Sequence, residues 1–102
     1  MRVTGEEMLI VAGFIELAPS DRDLFVEAHA DLVKRGREAV GCRDLAIAAD
    51  PVDPRRVNNF ELWEGQQALE DWRAIAAPPQ LGMSFLGGEM RMYHVSHVSS
   101  PF

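Results

Sequence analysis

The chain has 102 residues and a mass of 11.4 kDa, enough for one domain with one core and too little for two. Hydrophobic residues make up 47% and charged residues 25%, which fits a chain that folds and excludes disordered and collagen-like classes. The formal net charge of −6 repels phosphate backbones and anionic headgroups, so neither nucleic acid nor a membrane is an expected partner.

A domain of this size buries roughly 65% of the surface its unfolded chain exposes, which leaves little interior for a substrate. A second subunit could supply the missing walls. The lone cysteine, Cys42, excludes an intramolecular disulfide framework and any CxxC metal ligation, and it fits a reducing cytoplasm. Residues 1–7 carry more negative than positive charge and read as a flexible extension. They precede a domain spanning 8–98 and a short tail, 99–102.

Met8 to Glu16 is almost wholly apolar, as expected of a strand buried on both faces, and is too short to span a membrane. Ala18-Pro-Ser-Asp21 predicts a helix start, with Ser20 or Asp21 as the capping side chain. The helix is expected to run to about Ala39, with Leu24, Phe25, Ala28, Leu32 and Arg35 to Gly36 on its inward stripe and Gly41 closing it. His29 lies beside that stripe.

Cys42 to Ala49 alternates as a second strand, with Leu45 and Ile47 on one face. Asp50 to Arg56 is a polar hairpin loop with two Asp-Pro steps. Val57 to Glu64 is the third strand, with Val57, Asn59, Glu61 and Trp63 on one face and Asn58, Phe60, Leu62 and Glu64 on the other. A second helix is expected from Gln66 to about Ala76, burying Ala68, Leu69, Trp72, Ile75 and Ala76, and is stopped by Pro78-Pro79. Gln80 to Phe85 could add one helical turn. Glu89 to Val98 is the last strand, with Met90, Met92 and His94 on one face and Arg91, Tyr93 and His97 on the other.

Strand, helix, strand, strand, helix, strand is the order of the ferredoxin-like split βαβ arrangement, an α+β fold with a four-stranded antiparallel sheet and both helices on one face. Strands this apolar leave the second sheet face in need of cover, and a homodimer would provide it.

No HExxH, GxxxxGK[ST], GxSxG or GxGxxG motif is present. His94 and His97 fall on opposite faces of a strand, so no metal site is expected. The remaining candidates are aromatic and hydrogen-bonding side chains. His29, His94 and Asn59 are the candidate catalytic residues, and Trp63, Trp72, Phe25, Met92 and Tyr93 the candidate walls of a pocket for a small aromatic molecule. Each has a plainer reading as well. The two tryptophans and the methionines could be core, His29 a helix-edge histidine and Tyr93 a cross-strand packing residue.

The run Arg56-Val-Asn-Asn-Phe-Glu-Leu-Trp-Glu-Gly-Gln-Gln-Ala-Leu69, following Ala39-Val-Gly-Cys42, resembles the antibiotic biosynthesis monooxygenase family, whose members carry an "ExW" strand and a helix beginning "SxEAL". Glu61-Leu-Trp63 and Glu64-Gly-Gln-Gln-Ala-Leu69 carry the match, which extends over about residues 8–98. The resemblance implies a dimeric α+β barrel of two face-to-face sheets, with a pocket in each subunit. It also implies cofactor-free oxidation of a phenolic, hydroquinone or anthrone-type substrate by O2, with no cofactor and no metal. In that scheme His29 or His94 takes a proton from the substrate, while Asn59 and an indole N–H steady the oxyanion. A non-enzymatic dimeric binding module of the same fold is the alternative. Haem-degrading members carry an Asn on the first strand, and Met8 to Glu16 has none. Many members also have a His at the end of the "EAL" helix, where this chain has Asp71-Trp72.

Overall fold

The computed structural model describes residues 7–102; residues 1–6 of the expected N-terminal extension lie outside the described residues. Among the described residues seven elements follow in order: β1 (Leu9–Glu16), α1 (Pro19–Ala28), α2 (Ala30–Glu38), β2 (Cys42–Ala49), β3 (Arg56–Trp63), α3 (Gln66–Ile75) and β4 (Gly87–His94). The sheet order is β2-β3-β1-β4 with every neighbouring pair antiparallel. This is the ferredoxin-like α+β fold that the element order predicts.

The register assigns the two faces. Trp63, Glu61, Asn59 and Val57 on β3 stand opposite Leu9, Val11, Gly13 and Ile15 on β1, which in turn face His94, Met92, Met90 and Gly88 on β4. Leu45 and Ile47 on β2 complete the rows of Glu61 and Asn59. Directly opposed residues share a face, and the helices pack on this one over the β1 to β3 side while β4 stays exposed. Leu9, Val11, Leu45 and Trp63 pack with Leu69 and Trp72 of α3 in one apolar cluster. Leu17 and Val57 pack with Phe25 of α1 in a second. Burying each large side chain of this kind contributes about 1.5–3 kcal/mol.

Several expectations are corrected. The first helix begins at Pro19, with Ala18 at the cap position and no side chain capping it. Ser20 and Asp21 therefore sit inside the first turn and cannot cap it. The expected continuous helix is broken at His29, whose backbone angles of φ −94° and ψ 2° lie between helical and turn values. There the His29 amide is shared between the Phe25 and Val26 carbonyls, both at 3.2 Å, and the helical ladder resumes with Val33 N–H donating to His29 C=O. Leu24 and Ile75, both placed on inward stripes by spacing, are 55% and 68% exposed.

Residues 80–85 form no helical turn. Gly82 takes φ +69°, and Ala77, just before Pro78-Pro79, takes φ 46°. β4 starts earlier and ends sooner than its apolar pattern predicts, running Gly87–His94. Gly88 belongs inside the strand because β1 and β4 approach so closely there that a Cβ would meet the Phe14 carbonyl. The strand ends at His94 because Leu9 is the last residue of β1 available to pair, Val95 N–H reaching only the Met8 carbonyl.

Candidate functional site

The two apolar clusters are separated by a polar waist. On the sheet side, the row Ile47, Asn59, Gly13, Met90 crosses all four strands. Asn59 Oδ1 is buried and has no hydrogen-bond partner, an exception to the pairing expected of buried polar atoms. Gly13 leaves the space beside Asn59 without a side chain. It cannot be replaced in place, since a Cβ would run into the Glu89 carbonyl oxygen.

On the helix side the waist holds His29, the buried polar residue of the layer at 6% exposure. Phe25 packs beside Val57, and farther along, Gly36 comes against Leu45 and Trp72. The helices therefore run in the direction of β3. His29 is four residues past Phe25, about 6 Å of helix, while Asn59 is two residues past Val57, about 6.6 Å of strand. The two polar residues are thus offset by similar lengths of chain from the packed Phe25 and Val57.

The helix break sets the chemistry of His29. Its Nδ1 lies 2.7 Å from the Phe25 carbonyl oxygen, and a carbonyl only accepts, so Nδ1 carries the proton. In the neutral imidazole, Nε2 is then the nitrogen with the free lone pair. The ring also lies 4.0 Å from that of Phe25.

From the Gly13 end of the waist the helix-facing side of the sheet opens outward. An open trough of about 420 Å³ runs along the start of β4, lined by Ile15, Phe85, Leu86 and Met90 among others. That volume falls in the ~300–1,000 Å³ range of small-molecule sites, and its lining is predominantly apolar. A smaller pocket of about 70 Å³ lies where Met83 and Phe85 fold back over Phe25.

The remaining expected site residues divide. Met92 stands on the helix-facing side of β4, one row from Met90, whereas Tyr93 pairs with Ile10 on the opposite side of the sheet. The two cannot line one cavity within a single chain. Trp63 is fully buried, and its indole N–H donates to Glu61 Oε1 at 2.8 Å, so it is not a free donor for a substrate oxygen. Trp72 stacks on it at 6.5 Å between ring centroids. Its outer edge opens to a groove between α2 and α3 lined by Ala39, Val40, Ala68 and Ile75. His94 lies exposed at the strand end, its Nδ1 2.8 Å from Glu7 Oε1. The structure brings His29 and Phe25 into contact, places Asn59 two residues past the Val57 that packs with Phe25, and leaves His94, Tyr93 and Trp72 elsewhere.

One residue absent from the expected set belongs beside them. Glu61 follows Asn59 on the same face, between buried Leu45 and Val11. A carboxylate on a face shared with buried Val57 and Trp63 is the signal that could have found it. Its charge also reaches Cys42, whose thiol is pushed above its ordinary range first by burial and then by the Glu61 and Asp44 carboxylates. Among the described residues no group of three or more His, Cys, Asp or Glu side chains comes together as metal ligands.

Known structures share this architecture. A conserved protein from Methanosarcina mazei superposes with a TM-score of 0.73 at 16% identity, covering 87% of this chain and 93% of its own. PA3566 from Pseudomonas aeruginosa gives 0.72 at 17% identity, covering 89% and 96%. A structure named antibiotic biosynthesis monooxygenase gives 0.70 at 18%, covering 87% and 99%. At such identities the likeness speaks for the fold. No curated protein sequence matches this chain. The family model for antibiotic biosynthesis monooxygenase matches residues 8–77, more than half of the chain. The chain therefore belongs to the antibiotic biosynthesis monooxygenase family.

Proposed function

We propose that this protein is a cofactor-independent monooxygenase that oxidises a phenolic, hydroquinone or anthrone-type aromatic with O2 at the waist between helices and sheet. The reading is supported by a buried histidine whose proton is fixed on Nδ1 and by an unpartnered, buried Asn59 Oδ1 on the helix-facing side of the sheet. His29 Nε2 accepts the substrate's acidic proton, and the resulting electron-rich anion reduces oxygen directly. The Asn59 amide orients the substrate oxygen. Phe25, Phe85 and Met90 provide apolar and aromatic surface for a flat ring along the trough. Trp63, its N–H held by Glu61, supports β3 from within the core.

His94 is a weaker candidate for the base, since it is exposed and held by Glu7. A homodimer completes the proposal. The sheet face away from the helices carries Ile10, Phe14, Phe60 and Leu62, and β4 is exposed along its whole length. A second copy packed on that face would form the dimeric barrel expected from the resemblance.

The test uses purified, metal-free protein incubated with an anthrone or a hydroquinone, with and without air. Oxygen-dependent conversion faster than in buffer, lost in His29→Ala, is the expected result. Conversion no faster than in buffer would overturn the reading. The binding-module alternative draws on the engaged indole N–H of Trp63; ligand binding without any turnover would support it.

A further inference from the structure

Apart from the trough beside β4, we infer that the groove between α2 and α3 is a second binding site, one that takes a small organic cation with an ammonium group on an aromatic body. The groove has a volume of about 400 Å³, within the ~300–1,000 Å³ range of small-molecule sites. It shares no lining residue with the trough. Occupancy of the groove therefore does not depend on chemistry at the trough.

The two walls are tied together, which fixes the width of the groove before any ligand arrives. Arg35 of α2 donates to the Ala76 carbonyl just past α3 at 2.9 Å, and Gly36 packs against the Trp72 ring. Beyond the other end of α2, Gly41 comes so close to Ala68 near the start of α3 that a Cβ would meet the Ala68 Cβ. The helices thus lie antiparallel. From Arg35 to Gly41 the chain covers only about 9 Å at helical rise, less than the ~10–12 Å width of a helix with its side chains. That span suits a small molecule better than a partner helix. Ala39, Ala68 and buried Trp72 line its interior, while Val40 and Ile75 line it at 92% and 68% exposure. A ligand ring laid against the indole would cover both of these apolar side chains from water.

Charge decides the class of ligand. Glu38 and Asp71 are the charged residues of the lining, and no lysine or arginine belongs to it. Among the described residues no ion pair includes either one; Asp71 accepts the Gln67 side-chain amide at 2.9 Å. Glu38 is the last residue of α2, where the carbonyl end of a helix disfavours a carboxylate and favours a cation. The arginines of that turn are engaged elsewhere, Arg35 with Asp31 at 2.8 Å and Arg37 with the Leu45 carbonyl at 2.7 Å. A carboxylate at the unfavourable end of a helix, sharing an apolar groove with a second carboxylate, breaks a local rule with no partner in the chain to offset it. An ammonium group between the two supplies that partner. A second copy of a chain with net charge −6 is poorly suited to the same place.

The test is a titration of the full chain followed by amide chemical shifts, with phenethylamine, 2-phenylethanol and phenylacetate as probes that share one ring and differ in charge. Phenethylamine should give saturable shifts at Ala39, Val40, Ala68 and Ile75 and bind about fivefold or more tighter than the alcohol, the scale of partly exposed ion pairs. Phenylacetate should bind weakest. The double variant Glu38→Gln with Asp71→Asn keeps the shape of the groove and removes its charge, so phenethylamine should fall to the affinity of the alcohol, with circular dichroism confirming that the variant folds. Equal binding of amine and alcohol, an unmoved preference in the folded double variant, or no binding of any probe overturns the inference. So do shifts confined to Ile15, Phe85 and Met90, which would put the ligand in the trough. Shifts at the groove that grow with protein concentration without any probe would show a second copy seated there, and they overturn it as well.

Discussion

Phe25 holds His29 twice: its carbonyl oxygen accepts the Nδ1–H at 2.7 Å, and its ring lies 4.0 Å from the imidazole at a tilt of 31°. One residue therefore fixes both the tautomer and the plane of the candidate base. If Nε2 takes the substrate proton, His29→Ala should lower the oxygen-dependent rate by about 100-fold or more. Phe25→Leu leaves the carbonyl in place and removes only the stacked ring, so it should slow turnover by a smaller factor while preserving the fold. Oxygen-uptake rates alongside thermal melts of both variants check this. A His29→Ala enzyme that works as well as the parent would remove His29 from the mechanism.

Glu61 and Trp63 make a second pair, two residues apart on β3. Trp63→Phe deletes the donor and leaves both a cavity and an unpaired carboxylate oxygen beside the core. Destabilisation of about 2–4 kcal/mol is expected from the combined terms. Glu61→Gln, which retains an acceptor, should cost less than Glu61→Ala. Urea unfolding of the three variants measures the ranking.

Gly36 brings α2 close against Leu45 of the sheet and Trp72 of α3. A Cβ there would lie 2.9 Å from Leu45 Cδ1 and 3.1 Å from the Trp72 ring, both on buried side chains. Alanine favours a helix by about 1 kcal/mol over glycine, but overpacking costs about 1–3 kcal/mol, so Gly36→Ala should be net destabilising. A rise in the urea midpoint would show that α2 moves outward without loss.

The strand order, both helical regions and the face assignment of β3 were legible in the sequence, because periods of 2 and 3.6 are written directly into Val57, Asn59, Glu61 and Trp63 and into Phe25, Leu32 and Gly36. The helix break was not, since it depends on a side-chain bond from His29 to a carbonyl one turn back, and spacing carries no such information. Leu24 and Ile75 were misplaced because an apolar residue one step off the stripe looks the same in a pattern. The apolar pattern starts the last strand at Glu89, whereas the close approach of β1 and β4 favours glycine at Gly88 within the strand. The polar waist is half visible in the sequence: Asn59 and His29 stand out as polar residues on or beside inward stripes, but the burial of the first and the Phe25 bond of the second need the structure. Glu61 was read as part of a family motif, and its place between Leu45 and Val11 needed the sheet.

Asp50 anchors the β2–β3 hairpin. Its carboxylate accepts the amide N–H of Asp53 at 2.8 Å, the side-chain amide of Asn58 at 2.8 Å and the Val52 N–H at 3.0 Å. These bonds, with Arg56 nearby, hold its pKa down to about 2. A carboxyl group whose pKa is lowered on folding stabilises the folded state above its unfolded pKa and loses that contribution as pH falls through the folded value. The gap in melting temperature between the parent and Asp50→Ala should therefore be constant at pH 5 to 7, about a unit or more above the unfolded carboxyl, and should shrink between about pH 4 and pH 2. A gap that stays constant down to pH 2 would show that the carboxylate charge contributes nothing to the hairpin.

The face of the sheet opposite the helices gives the last prediction. Ile10, Ala12 and Phe14 of β1 stand directly opposite Leu62, Phe60 and Asn58 of β3, and Tyr93 of β4 lies beside Ile10. Arg56 folds over Phe14 with its guanidinium carbon 3.9 Å from the ring, which shields one end of the strip but not its centre. A strip of adjacent Ile, Leu and Phe side chains across two strands is the kind of patch that monomers rarely leave in water. Covered by its own copy, it would form an isologous interface in which each face meets its twin. Light scattering after size exclusion should accordingly give a mass near twice the 11.4 kDa of one chain. Phe60→Lys puts a charge at the centre of the strip in both subunits at once, so it should shift the protein toward the single-chain mass while far-ultraviolet circular dichroism stays unchanged. Because β4 is exposed on both sides in the isolated chain, the dissociated variant should also lose protection from hydrogen exchange first along Gly87–His94. A parent protein that runs as a monomer at every concentration would overturn the shared barrel, and the trough beside β4 would then have to work as an open site.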